Sequence, residues 1–196
     1  MYLILKVYEM GKYKEGKKTE AINQADFQKI LDTGLYVKPQ LHRALIVILY
    51  YSGARISEIL ALKREHFAIS TEQKKTLAVV IAPIKRGVLR GAFLLDLEKP
   101  GVQILANVVS KIKGSRRIFP FTRVTAWYIV KRATFSSGFN FYPHYFRLNR
   151  CVRFLDQRDI SLNEIRQWFG WNRIDTVNNY LGYSKRTTEK LSGVLD

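Results

Sequence analysis

The sequence predicts an α+β fold, mostly helical, arranged around one small antiparallel β-sheet. Three observations carry this. The longer segments place apolar residues at helical spacing. Two β-rich runs, "TLAVVIAP" and "LRGAFLLDL", flank a short turn that contains glycine. Capping residues and glycines stand where helices would start and stop. With 196 residues, 47% of them hydrophobic, the chain is long enough for one sizeable domain with a real core.

Residues 1–20 read as a short lead: a strand "YLILKVYEM", then lysine- and glycine-rich "GKYKEGKKTE". The domain proper runs from 21 to 196. Asn23 caps a helix "QADFQKILD", with Gly34 just past its end. Leu41, Leu45 and Ile48, then Ile56, Ile59 and Leu60, define two helical pieces that meet at a Ser52-Gly53 bend. "IKRGV" turns the hairpin between the two β runs, with Gly87 at its tip. "PGVQILANVVSKIKG" is helical and ends in glycine. After a Phe- and Tyr-rich middle, Pro143 starts the helix "PHYFRLNRCVRFLDQRD". Ser161 and Glu164 form a capping box for "LNEIRQWF", which Gly170 ends. Asp175 caps "TVNNYL", which Gly182 closes, and a tail of residues 185–196 follows. Leu191 and Val194 would share one face of a short helix in that tail.

Lysine and arginine number 33 against 16 aspartate and glutamate, a net charge of +17. A folded domain with that imbalance repels itself unless an anionic partner shares its surface, and nucleic acid is the most economical one. Cys151 is the only cysteine, and His42, His66 and His144 are dispersed. Neither a disulfide framework nor a metal-ligand spacing results, so no cofactor or metal is called for. The first residues lack the features of a secretion signal, and no stretch approaches a membrane span. A soluble, intracellular protein on DNA, without membrane contact, is the expectation.

Several polar residues stand in a telling order. Arg55 follows the glycine bend, with Glu58 three positions on. Lys85 lies on the β-turn, His144 and Arg147 sit three apart, Gly170-Trp171 ends a helix, and Tyr180 comes nine residues after that tryptophan. Singly, each is commonplace: an ion pair on a helix, a surface lysine, one of eleven tyrosines. As an ordered set they resemble the catalytic domain of the tyrosine recombinases, the phage-integrase family. The similarity lies in "SGARISEILALKREHF", "HYFR" and "WFGWNRIDTVNNYLGY" and spans about residues 22–185.

The resemblance implies that fold and a catalytic set of Arg55, Lys85, His144, Arg147, Trp171 and Tyr180, with Glu58 supporting the first arginine. It implies a site-specific recombinase that cleaves and rejoins DNA through a 3′-phosphotyrosine, without metal or ATP. Two arginines would clamp the phosphate, Trp171 would donate to a non-bridging oxygen, His144 would serve as base and Lys85 as acid. Tyr183 is the rival nucleophile, disfavoured by spacing. Three departures stand out. Trp171 replaces the usual second histidine, as it does in some members. "HYFRLNR" lacks the usual leucine and following histidine. The lead is too short for the family's N-terminal DNA-binding domain.

Lys63, Arg64, Arg86, Arg90, Arg116, Arg117, Lys131 and Arg132 are candidates for holding the duplex backbone, with Lys74, Lys75, Lys111 and Lys113 adding charge. The resemblance implies a homo-oligomer on DNA, dimer or tetramer, monomeric when free, with a partner protein supplying the core-binding domain. Two other readings stay open: a type IB topoisomerase-like relaxing enzyme, and a non-catalytic DNA-binding remnant of the same fold.

Overall fold

The computed structural model describes residues 22–70, 75–82, 93–157, 159–181 and 183–184. The lead, the hairpin tip with Lys85, Arg86 and Arg90, Lys74, and the tail 185–196 lie outside the described residues.

Helix α1 (Gln24–Thr33) begins in a reciprocal capping box: Asn23 Oδ1 accepts from the Asp26 N–H at 2.8 Å, and Asp26 accepts from the Asn23 N–H at 3.2 Å. Helix α2 (Pro39–Ser52) starts with proline in its first turn and is buried at every position from Ala44 to Tyr50. A helix apolar on all sides must be enclosed on all sides, and α2 is the axis of the domain. It packs against α4 (Val102–Ser110) and α6 (Pro143–Leu155).

Gly53 ends α2 in the left-handed conformation, φ +58°. A Cβ there would also come within 2.8 Å of Arg150 Cβ and 2.9 Å of a Phe169 ring carbon, so the bend needs glycine for space as well as for φ. Helix α3 (Ile56–Leu60) follows and is shorter than its sequence suggests, because a 3₁₀ turn at Arg64–His66 leads into a strand.

The sheet has three antiparallel strands in the order β1 (Phe67–Ser70), β2 (Thr76–Val79), β3 (Phe93–Asp96), with Val79 opposite both Phe67 and Phe93. Leu77, Val79, Phe93 and Leu95 alternate inward. The sequence reading of β2 and β3 as a paired hairpin matches this pairing. It missed β1, whose four residues, "FAIS", are too few to show a period.

Helix α5 (Arg123–Ser136), in the Phe- and Tyr-rich middle, was also missed. Thr122 caps it by accepting from the Thr125 N–H at 3.1 Å. Its "RVTAWYIVKRATF" is rich in β-branched and aromatic residues, which are mediocre helix formers, and it has exposed Trp127 and Tyr128 beside buried Ala126 and Ile129. Tertiary packing decides that helix. Helix α7 (Leu162–Phe169) has the predicted Ser161–Glu164 capping box, and Gly170 closes it at φ +63°. Asp175 opens α8 (Asp175–Leu181) from inside its first turn.

Two apolar clusters result. The larger gathers α1 to α5, the sheet and the start of α6, including Tyr145 and Phe146. The smaller consists of Cys151, Leu155, Ile165, Phe169, Trp171 and Val177, from the end of α6 with α7 and α8. Three side chains tie them at the C-terminal end of α2, where carbonyls have no partner inside the helix. Arg150 donates to Tyr50 O at 2.9 and 3.2 Å, the Trp168 indole to Ser52 O at 2.9 Å, and Arg147 to Gly53 O at 2.9 Å. Two cations at the negative end of a helix dipole add to the bond energies.

Candidate active site

Arg55 is the residue from which α3 starts, and Glu58 is in its first turn. The Glu58 carboxylate accepts from the Arg55 backbone N–H and from its guanidinium, each at 2.8 Å. Glu58 is only 2% exposed at its side chain, whereas that of Arg55 is 49% exposed. A buried carboxylate needs a paired charge. Here the pairing holds the backbone N–H and one guanidinium nitrogen of Arg55 while about half of its side chain stays exposed. The glutamate expected to support Arg55 does pair with it, from a buried position.

Arg147 is held differently. It is 1% exposed, the largest of the fully buried side chains among the described residues. Its two terminal nitrogens donate to Gly53 O at 2.9 Å and Phe169 O at 3.3 Å. The guanidinium lies 4.6 Å from the Phe169 ring centre and 5.2 Å from that of Trp171, a cation–π arrangement from which water is excluded. Tyr180 stacks on that same Trp171 ring and feels the charge of Arg147. Burial lowers the Arg147 pKa, and Arg55 lowers it further, while Glu58 and Tyr180 oppose both. An arginine tolerates this because its starting value is so high.

Tyr180 is brought to Arg147 by a column of rings. Phe169 stacks on Trp171 at 4.7 Å and 23°, and Trp171 on Tyr180 at 5.3 Å and 21°. The glycine turn at Gly170 lets two successive aromatics of the column follow each other across the end of α7. Burial raises the Tyr180 pKa; the charge of Arg147 pulls it back, and Arg55 does so more weakly. His144, next to Pro143 at the start of α6, sits at the rim of a cavity of about 750 Å³ that Arg55 also lines. Although His144 is an exposed residue, desolvation by the groups around it, then Arg147, then Arg55 lower its pKa, so the imidazole is neutral at pH 7 and able to accept a proton.

A profile of the phage integrase family matches residues 20–186. The chain belongs to the phage integrase family. Solved structures agree on the fold of this integrase-family domain. XerA recombinase superposes with a TM-score of 0.65 at 12% identity, covering 92% of this chain and 64% of its own. XerH site-specific recombinase, bound to its difH substrate before cleavage, gives 0.64 at 18% identity, covering 94% and 57%. The integrase of mycobacterium phage Brujita gives 0.53 at 14%, covering 87% and 59%. The chain thus spans a little over half to two thirds of the proteins it resembles in structure. A comparison with curated protein sequences finds no significant match.

Of the catalytic residues the family resemblance implies, the fold gathers Arg55, His144, Arg147, Trp171 and Tyr180 around one region, with Glu58 beneath Arg55. Lys85 lies outside the described residues. Tyr183 is 52% exposed, and its backbone N–H closes a turn onto Tyr180 O at 3.1 Å.

The basic residues divide. Lys63 forms an isolated β-bridge with Arg117, and the Arg64 N–H donates to Arg116 O at 3.2 Å. Two pairs far apart in sequence therefore make one patch. Within it, Lys63 reaches Glu65 at 3.4 Å and the Arg64 guanidinium donates to Phe67 O at 2.7 Å. Arg132 is exposed, but Lys131 is buried, with its ammonium on Asn140 Oδ1 and 5.6 Å from the Trp127 ring centre. Its charge is directed inward, and burial lowers its pKa. Sequence reading overlooked Phe169, whose carbonyl and ring both hold Arg147, and the aromatic cavity wall of Trp127, Tyr128 and Tyr142. The adjacent "WY" was a visible signal, but only the fold shows that it is exposed.

Proposed function

We propose that this domain is the catalytic part of a site-specific DNA recombinase that cuts and rejoins strands through a 3′-phosphotyrosine. One observation carries the reading: the buried Arg147 guanidinium and the Tyr180 ring lie against the same Trp171 ring, 5.2 and 5.3 Å from its centre, and the charges of Arg147 and Arg55 both act on Tyr180. A nucleophile and two permanent cations at one place are what attack on an anionic phosphodiester requires.

The Tyr180 oxygen attacks the phosphorus of the scissile linkage, and the bond to the 5′ oxygen breaks. Arg55 and Arg147 neutralise charge growing on the non-bridging oxygens. Both are pre-set by Glu58 and by the two carbonyls, so little reorganisation is needed as the charge develops. Burial keeps Tyr180 protonated at neutral pH, and neutral His144 takes the proton. Lys85 is the candidate to protonate the leaving 5′ oxygen, on the strength of the family resemblance. The ester keeps the bond energy, so a second 5′-hydroxyl can reverse the step and complete an exchange.

Double-stranded DNA is the proposed partner, and the net charge of +17 supports it. The patch of Lys63, Arg64, Arg116 and Arg117 would hold the backbone. Exchange between two sites needs more than one protomer, so a dimer or tetramer on DNA is part of the proposal. Deleting residues 185–196 separates two roles for the tail: loss of exchange with cleavage spared marks a segment that couples protomers, and unchanged exchange one that serves its own domain.

The direct test is a pool of nicked suicide duplexes, randomised around the nick and incubated with the protein. A protein–DNA band that survives denaturation is expected. Its absence across the pool, with DNA binding intact, would favour a binding remnant instead.

A further inference from the structure

The 750 Å³ cavity is much larger than a phosphate group needs and falls in the range that encloses drug-sized ligands. Its lining holds two kinds of side chain: cationic or proton-accepting Arg55, Arg123 and His144, and apolar or aromatic Val124, Trp127, Tyr128 and Tyr142. Val124, Trp127 and Tyr128 come from the first two turns of α5. Those three α5 side chains are 65%, 40% and 48% exposed. Large apolar groups left together on a surface mark a place where something binds.

Trp127 is also fixed in position. The Lys131 ammonium lies against its ring and is itself held by Asn140, while Tyr128 meets it edge-on at 5.2 Å and 88°. An indole and an arginine lining one cavity offer a stacking platform and a phosphate anchor, the two parts that recognise an unpaired nucleotide.

We propose that this cavity receives an unstacked nucleobase flanking the phosphate held by Arg55, with Trp127 as its platform and Tyr128 as the second wall. The proposal rests on the reading of Arg55 as a phosphate clamp. A base withdrawn from the helix beside the cut would loosen the new strand end, which must leave its partner before it can be exchanged. Stacking uses the π-face that every base has, so the pocket would favour an unpaired base over none rather than one base over another.

The probe is a fluorescein-labelled four-nucleotide thymidine strand, compared by anisotropy with the same backbone carrying abasic tetrahydrofuran residues. The wild-type protein should bind the thymidine strand about tenfold more tightly, within the range typical of base–aromatic stacking. Trp127→Ala should abolish that preference, Tyr128→Ala should reduce it, and Trp127→Phe should keep most of it. Equal wild-type affinity for the two probes would overturn the pocket, as would equal weakening of both probes by Trp127→Ala. A change in oligomeric state in Trp127→Ala, with the base preference intact, would make the wall a contact between copies and likewise overturn it. Covalent capture in the suicide assay without base preference removes the pocket alone. Base preference without covalent capture removes the catalytic reading alone.

Discussion

The two arginines stand in opposite mechanical surroundings. Arg55 rises from the large core, half exposed, on a buried glutamate. Arg147 lies inside the seam between the large core and the small cluster, bonded to a carbonyl from each side. A lysine at 55 can still give the buried Glu58 its paired charge, whereas a lysine at 147 cannot serve both carbonyls. The proposed nucleophile belongs to the smaller side, since Tyr180 packs on a cluster of six buried residues among those described. A small cluster buries little apolar area and opens at modest free energy. On the proposed mechanism, Arg55 then stands on the large core, Arg147 in the seam, and Tyr180 on the small cluster.

The largest effect should come from Tyr180→Phe, which is expected to abolish covalent capture in the suicide-duplex assay while Tyr183→Phe retains most of it. Capture that follows Tyr183 instead would break the assignment of the nucleophile to the small cluster.

Lysine substitutions at the two arginines come next and test the contrast directly. Arg55→Lys and Arg147→Lys should each slow cleavage by about 10² to 10³, the usual cost of losing one oriented donor to a transition-state oxygen. Only Arg147→Lys should also lower the thermal midpoint, because it leaves buried carbonyls without their donor, at about 1–3 kcal/mol. Equal melting curves for the two variants would show that the seam is not held as described.

Cys151 offers a smaller, sharper measure. It is buried in the small cluster, and burial pushes its thiol up to about 12. Labelling by an aromatic disulfide reagent at pH 8 should be slow in the native protein and limited by opening of that cluster. The opening free energy obtained this way should fall below the global value from denaturant unfolding. If the two coincide, the domain opens as one unit and the contrast between the clusters fails.

The smallest effect is that of pH on stability. His144 is depressed below its unfolded value, so the unfolded chain takes up a proton first as pH falls from neutrality. Its contribution is fully present above about pH 6.5 and is lost as pH drops through the folded value. The same fall protonates the proposed base. Cleavage should thus decline on the acid side in wild type, and His144→Gln should be slower with a flatter acid limb.

Much of the fold was legible because local chemistry wrote it. Asn23 and Ser161 announce helix starts, Gly53 and Gly170 announce stops, and the continuous apolar run of α2 announces enclosure. Where the chain lacks such punctuation, reading failed: β1 exists because β2 pairs with it, and α5 because its few inward residues meet the core. In the site, residue types and order pointed to the catalytic set. Burial could not be read, so Lys131 appeared as a surface charge and Trp127 as nothing in particular.

By itself, then, the sequence determined which chemical groups are available and in what order they occur, because motif spacing and caps are local properties. Only the tertiary structure decided which of them share a space and at what depth. It closed Arg147 between two carbonyls and two rings, left Arg55 open, and turned Lys131 inward. The reason is physical: desolvation and hydrogen-bond geometry depend on what surrounds a side chain in three dimensions, and contacts separated by 94 residues, such as that of Arg147 with Gly53, leave no trace in either local segment.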